Sequence, residues 1–199
     1  MTDDNGTQEE TMSLAVQHAS PDLAQLADDL VVPEGYRVEI IGGTLVVSPT
    51  PSGMHAHILT VLQGDLYDAA PEGHLPYQVV TITLPRTNER YIPDLVVLPR
   101  KVVTTYQDFV FPASELLLAV EITSPTNPEN DRIRKLRGYA LAAVPMYLLI
   151  DPLDNSASLF EEPHGGLYQR RTRVPFGGTL TLPDPFGVDI DTSAFIAPE

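Results

Sequence analysis

A chain of 199 residues that is 43% hydrophobic is long enough to bury a real core, and its formal charge of −15 sets it apart from the basic proteins that coat nucleic acid. It has no cysteine, which excludes both a disulfide framework and a thiolate metal site. No apolar run approaches the roughly 20 residues of a membrane span, and the N-terminus lacks the basic and apolar regions of a signal peptide. A soluble, cytoplasmic protein with no membrane partner is expected.

Residues 1–20 are polar and acidic without periodicity, so a disordered acidic tail is expected ahead of a single domain over 21–199. Pro21-Asp22-Leu23 resembles a helix start, and Leu23, Leu26, Ala27 and Leu30 recur at helical spacing. Strands are expected over 37–41 and 44–47, joined by Gly42-Gly43, a dipeptide suited to a two-residue hairpin turn. Glu39 lies inside the first of these, and its own pattern reads as an outward-facing strand residue. After the breaker 49–53 a helix runs to Ala69, with Ile58, Leu62, Leu66 and Ala69 on its apolar face. His55 and His57 stand at its start and read as histidines bonding backbone there. Neither is a metal ligand on this reading, since imidazole suits zinc or iron better than Mg²⁺.

Residues 78–84 alternate as a strand, and 86–89 turn the chain antiparallel into Tyr91-Ile92-Pro93-Asp94-Leu95-Val96-Val97-Leu98. Residues 101–114 form a connection whose Tyr106, Phe109 and Phe111 pack over the sheet. A buried strand follows through Val120-Glu121-Ile122-Thr123. Asn127 and Pro128 then open a helix, Glu129 and Asp131 suit its positive end, and Pro145 bars its continuation. A third buried strand, 146–151, completes a crossover and makes the sheet partly parallel. A hairpin turns at His164-Gly165-Gly166, and the Pro- and Gly-rich end from Val174 wraps the edge.

The polar residues inside this apolar frame carry the chemistry. Asp94 opens one strand, Glu121 lies within the next with Thr123 on the same face, and Lys135 rides on the following helix. A carboxylate in so apolar a run needs a partner or a cation. Two acids on neighbouring strands plus an ammonium suit metal-assisted phosphodiester cleavage, with oxygen ligands for Mg²⁺ and a positive charge for the attacking water. Each residue also has a plainer reading. Asp94 could cap a turn, Glu121 could pair with Lys135, Lys135 could face solvent, and Tyr139 could pack one turn further on. Asp131 reads as a helix salt bridge to Lys135 rather than a metal ligand. Arg132, Arg134, Lys135 and Arg137 share one helix, and Arg170, Arg171 and Arg173 cluster near the end, so small patches for phosphate are expected.

The order P-D, then E-x-T, resembles the PD-(D/E)-x-K nuclease superfamily, with Thr123 where the motif lysine stands. The wider chain resembles the Uma-two family of bacterial restriction-endonuclease-like proteins, through Y-R-V-E-I-I-G-G-T-L-V-V-S-P, H-A-H-I-L-T-V-L, Y-I-P-D-L-V-V-L, V-E-I-T-S-P-T, D-R-I-R-K-L-R-G-Y-A and V-P-M-Y-L-L-I-D-P. This resemblance implies an α/β fold of restriction-endonuclease-like type, with a mixed central sheet flanked by helices and an N-terminal β-hairpin. It implies Asp94, Glu121 and Lys135 as catalytic residues, a helix lysine serving for the strand lysine. Asp94 and Glu121 would hold Mg²⁺, with Mn²⁺ as a substitute. Glu39 is implied as a further acid, and His55, Thr123 and Tyr139 as neighbours. The expected activity is DNA hydrolysis, with a homodimer left open. The alternatives are a degenerate nuclease fold that binds nucleic acid or a protein without cutting, and a regulatory module whose acidic surface meets a basic protein.

Overall fold

The computed structural model describes residues 22–105 and 109–196. The expected acidic tail and the packing role of Tyr106 lie outside the described residues, while Phe111 is buried as expected and Phe109, expected to pack beside it, is exposed. Asp22 caps α1 (Leu23–Asp29), its carboxylate accepting from the Ala24 amide. β1 (Arg37–Ile41) and β2 (Thr44–Ser48) form the expected hairpin. Gly42 and Gly43 have φ of 58° and 72°, the left-handed pair that a tight turn of this twist requires. Ser52 caps α2 (Gly53–Ala69).

The next stretch departs from expectation. Of 78–84 only β4 (Thr81–Leu84) is a strand, and a separate β3 (His74–Tyr77) precedes it in the other sheet, with Val79 at φ 57° between them. The Tyr91 run divides likewise into β5 (Glu89–Tyr91) and β6 (Leu95–Pro99). Pro93 offers no N–H to a ladder, so the chain leaves one sheet at Tyr91 and enters the other at Leu95. Asp94 is thereby placed where the two sheets meet.

The connection that follows contains α3 (Arg100–Thr105), β7 (Val110–Pro112) and a 3-10 turn, Ala113–Glu115. β8 (Leu118–Ile122) comes next. The expected helix is present from residue 128, but Asn130–Lys135 is π-helical before α4 (Leu136–Leu141). β9 (Met146–Asp151) returns parallel to β8, pairing Glu121 with Leu149. β10 (Ser156–His164) and β11 (Leu167–Pro175) make the expected hairpin. The C-terminal stretch does more than wrap an edge. β12 (Thr179–Leu182) and β13 (Val188–Asp191) pair, and Leu180, Leu182, Ile190 and the nearby Phe195 enter the core.

The larger sheet runs β11-β10-β9-β8-β6-β3, and the smaller β2-β1-β5-β4-β7. Alternation along β6, β8 and β9 sorts the side chains. Leu95, Val97, Leu118, Val120, Leu148 and Ile150 meet Ile58, Leu62 and Leu66 of α2. Val96, Leu98, Ala119, Tyr147 and Leu149 face the other way, toward Ile41, Ile82, Leu84 and Tyr91 of the smaller sheet and Tyr139 of α4. Each large side chain so buried contributes about 1.5–3 kcal/mol. The result is an α/β fold with mixed sheets flanked by helices. No helix among the described residues is long and apolar enough to cross a membrane.

Tyr91 is fully buried against Gly138, where an added Cβ would stand 2.1 Å from the phenolic oxygen and 2.9 Å from two ring carbons. Alanine is the better helix former by about 1 kcal/mol, but overpacking typically costs about 1–3 kcal/mol. Gly138→Ala is therefore expected to lower the urea midpoint despite its helix propensity. An equal or higher midpoint would show that Tyr91 can move aside.

Candidate active site

Four elements deliver the polar residues to one place. β1 contributes Arg37 and Glu39, which share a face because strand side chains alternate. The crossing between sheets contributes Asp94, β8 contributes Glu121, and the π-helical stretch contributes Asp131 and Lys135. All of these, with Thr123 and His55, line a cleft of ≈ 280 Å³.

Lys135 is only 4% exposed, and its ammonium meets three carboxylates: Glu39 Oε1 at 2.9 Å, Glu121 Oε2 at 3.0 Å and Asp131 Oδ1 at 3.5 Å. An ammonium has three donors, and the contact with Glu121 is a hydrogen bond while Glu39 and Asp131 complete the ion-pair cluster. Glu39 Oε1 also accepts from the Ile92 amide at 2.8 Å. Tyr139 donates to Glu121 Oε1 at 2.9 Å. Its ring centre lies 5.3 Å from those of both Tyr91 and Tyr147, so the hydroxyl is held by a packed aromatic row. Tyr147 in turn donates to the Asp131 carbonyl at 2.9 Å and pins the π-helical backbone.

Asp94 has a different environment. Its Oδ2 accepts from the Ile122 amide at 2.8 Å, while Oδ1 lies 2.9 Å from His55 Nε2 and 3.4 Å from Arg37 Nη1. Thr123 is 4% exposed, and its hydroxyl has no hydrogen-bond partner among the described residues. A buried polar atom left open calls for an explanation, and a bound water or ion would supply one.

The charges separate the carboxylates by role. For Asp94, burial opposes the ionised form, but the His55 contact, the His55 and Lys135 charges and the Ile122 amide outweigh it and hold the group below its usual range. For Glu121, burial dominates and raises it well above that range. Lys135 offsets this only in part, while Asp131, Asp94 and Glu39 add to it. Asp131 is pushed up to about 6, again chiefly by burial. Burial works against the charged Lys135, yet Glu121, Glu39, Asp131 and Asp94 keep it firmly protonated. Glu121 therefore sits where an added cation would be welcome.

Two carboxylates, a hydroxyl and nearby carbonyls form a hard oxygen donor set of the kind Mg²⁺ takes. Among the described residues no three His, Asp or Glu side chains are grouped to cage a metal. Mg²⁺ commonly uses one or two carboxylates and keeps several waters, so this set fits it.

The structure brings together every residue singled out in the sequence, with changes of detail. Glu39 is 4% exposed rather than outward-facing, because Lys135 gives its charge a partner inside. The His55 imidazole turns to Asp94. The backbone contact expected of a histidine here belongs to His57, whose Nε2 lies 3.0 Å from the Ala194 carbonyl. Asp131 makes the expected salt bridge yet also lines the cleft. The basic patches are not assembled. Lys135 is buried, and Arg132 is taken by Asp151 at 2.6 and 2.9 Å. Arg170 and Arg173 pair with Glu161 and Asp154. Arg37 was missed, although its place two residues before Glu39 on a strand was the available signal.

The raised Asp131 gives a pH test with a definite sign. Its folded pKa exceeds its unfolded value, so the stability it adds is present at low pH and is lost as pH rises through about 6. One unit below that value the gain is about 1.4 kcal/mol. Between pH 8 and pH 5, wild type should gain about that much relative to Asp131→Asn in urea unfolding. Parallel stability curves for the two proteins would show that Asp131 is not raised.

With this geometry in place, comparison with known proteins is informative. The sequence model of the Uma2 family, described as "Putative restriction endonuclease", matches residues 21–193. A crystal structure described as "a putative nuclease belonging to DUF820" from Anabaena variabilis ATCC 29413 is similar, with a TM-score of 0.68 at 16% identity. The likeness covers 87% of this chain and 96% of that one, and it bears on the fold alone. No protein of curated function matches. A family match over most of the chain, on the fold and blocks described above, places the protein in the Uma2 restriction-endonuclease-like family.

Proposed function

We propose that the protein is a Mg²⁺-dependent nuclease that hydrolyses phosphodiester bonds in DNA. The observation that carries this reading is the meeting of Asp94, Glu121 and Lys135 in one cleft beside the unpartnered Thr123 hydroxyl. Asp94 and Glu121 would hold the Mg²⁺, or Mn²⁺ in its place. The ion would polarise the phosphate and lower the pKa of a bound water. Lys135, fixed by Glu39 and Asp131 as well as Glu121, holds a positive charge at one point, where it steadies the attacking water and the charge developing on the phosphate. Tyr139 fixes one oxygen of Glu121, and the other, 3.0 Å from Lys135, would turn to the ion. Thr123 offers its hydroxyl to orient the water.

One observation favours a second reading, in which the fold binds nucleic acid without cutting it. Lys135 already faces three carboxylates, at 2.9, 3.0 and 3.5 Å, so its charge is largely offset before any phosphate arrives.

Nicking of a supercoiled plasmid with Mg²⁺ separates the two readings. Wild type is expected to cut, to stop on chelation, and to lose about 10²–10⁴-fold in rate in Lys135→Met, the usual loss for a general catalytic group. Asp94→Asn and Glu121→Gln should abolish the metal-dependent rate. Inactive wild type that still retains the plasmid on a filter would favour the second reading.

A further inference from the structure

We infer that Arg37 is a phosphate clamp, gripping a backbone phosphodiester of the nucleic acid at the mouth of the cleft. This deepens the nuclease reading, and rests on it for the identity of the ligand.

Two cationic side chains of fixed charge line the cleft, Arg37 and Lys135. Lys135 is buried among three carboxylates, as described above. Among the described residues Arg37 has one polar partner, Nη1 to Asp94 Oδ1 at 3.4 Å, long for a charge-assisted hydrogen bond, which usually spans about 2.7–2.9 Å. The Nε–H is buried and has no acceptor among the described residues.

Asp94 does not grip the guanidinium with both oxygens: Oδ2 accepts from the Ile122 amide, and Oδ1 meets both His55 and Arg37. The planar fork of an arginine therefore lines the cleft with unpaired N–H groups along an edge that includes Nε, itself beneath the surface. Such an edge matches an acceptor bearing two oxygens on one centre, and a phosphodiester is such a group. The side chain is 29% exposed although Nε is buried, so a ligand reaches part of the fork while its stem stays anchored on β1. A cleft carrying Glu39, Asp94, Glu121 and Asp131 repels a phosphate unless a cation with spare donors meets it, and Arg37 has them.

The bland alternative is that Arg37 only neutralises Asp94. The two differ in the salt dependence of binding, because each phosphate neutralised adds about −0.9 to the slope of log affinity against log salt on duplex DNA. The test is fluorescence anisotropy of a labelled DNA duplex in EDTA across a KCl series, with wild type, Arg37→Gln and Arg37→Lys. An RNA duplex of equal length is the second arm. Thermal melts show which variants are folded.

Arg37→Gln is expected to bind on the order of tenfold more weakly, as for loss of a charged hydrogen bond, with the slope shallower by about one. Arg37→Lys should restore the slope, because it keeps a point charge, but not the full affinity. Equal affinity and slope in wild type and Arg37→Gln would overturn the clamp, whatever the plasmid assay shows. Arg37-dependent binding without any Mg²⁺-dependent cutting would sink the nuclease reading and leave the clamp standing. Arg37-dependent binding in the RNA arm alone would keep the clamp and remove DNA as its ligand. Absence of binding by wild type in both arms would overturn the clamp as well.

Discussion

The buried ammonium of Lys135 is the constraint on which the rest of the site depends. Its carboxylate partners come from β1 of the smaller sheet, β8 of the larger sheet and the π-helical stretch, so one cation ties three elements together. Burying these groups is costly, and their mutual attraction repays the cost only where the geometry is good and other hydrogen bonds complete it. Here the Ile92 amide and the Tyr139 hydroxyl complete it for Glu39 and Glu121. Removing one member of such a buried set typically costs about 3–5 kcal/mol, because it strands the others. Three carboxylates against one ammonium still leave local negative charge. Burial raises Glu121 and Asp131 first and that excess adds to it, and the excess is also what makes a divalent cation a favourable addition.

The packing explains how so polar a centre stays in place. Tyr91, Tyr139 and Tyr147 stand in a row beneath it, and Gly138 lets Tyr91 approach the helix more closely than any side chain would permit. π-helical turns recur at functional sites, and this one presents Asp131 and Lys135 while Tyr147 holds its backbone. Asp94 is fixed differently, by the passage of the chain from one sheet to the other at Pro93. Its carboxylate then reaches the amide that follows Glu121, so both metal-binding candidates are held to the same end of β8.

Much of this was legible in the sequence because it rests on local rules. The β1–β2 hairpin, α2, the parallel pair β8 and β9 and the β10–β11 hairpin follow from glycine turns, caps and apolar runs. The division of the Tyr91 run between sheets did not show, since a run buried on both sides looks alike whichever sheet receives it. At the site, the pairing of Glu121 with Lys135 could be anticipated from fourteen residues of strand, loop and helix. Burial of Glu39 could not, because its partner lies 96 positions along the chain, from 39 to 135. His55 and Arg37 were obscured for the same reason: both find Asp94 only once the sheets have met. The basic patches failed because acids claim Arg132, Arg170 and Arg173 and Lys135 is buried, as with Arg170 of β11 and Glu161 of β10.

Sharing of a divalent cation by Asp94 and Glu121 beside Lys135 can be seen by anomalous diffraction from a crystal soaked in Mn²⁺. One strong peak is expected in the cleft, with an Asp94 oxygen and a Glu121 oxygen both within coordination distance, about 2.0–2.1 Å for a small divalent ion. Lys135 should then remain on Glu39 and Asp131. A cleft without a peak, with Lys135 still on Glu121 while Mn²⁺ binds elsewhere, would contradict it.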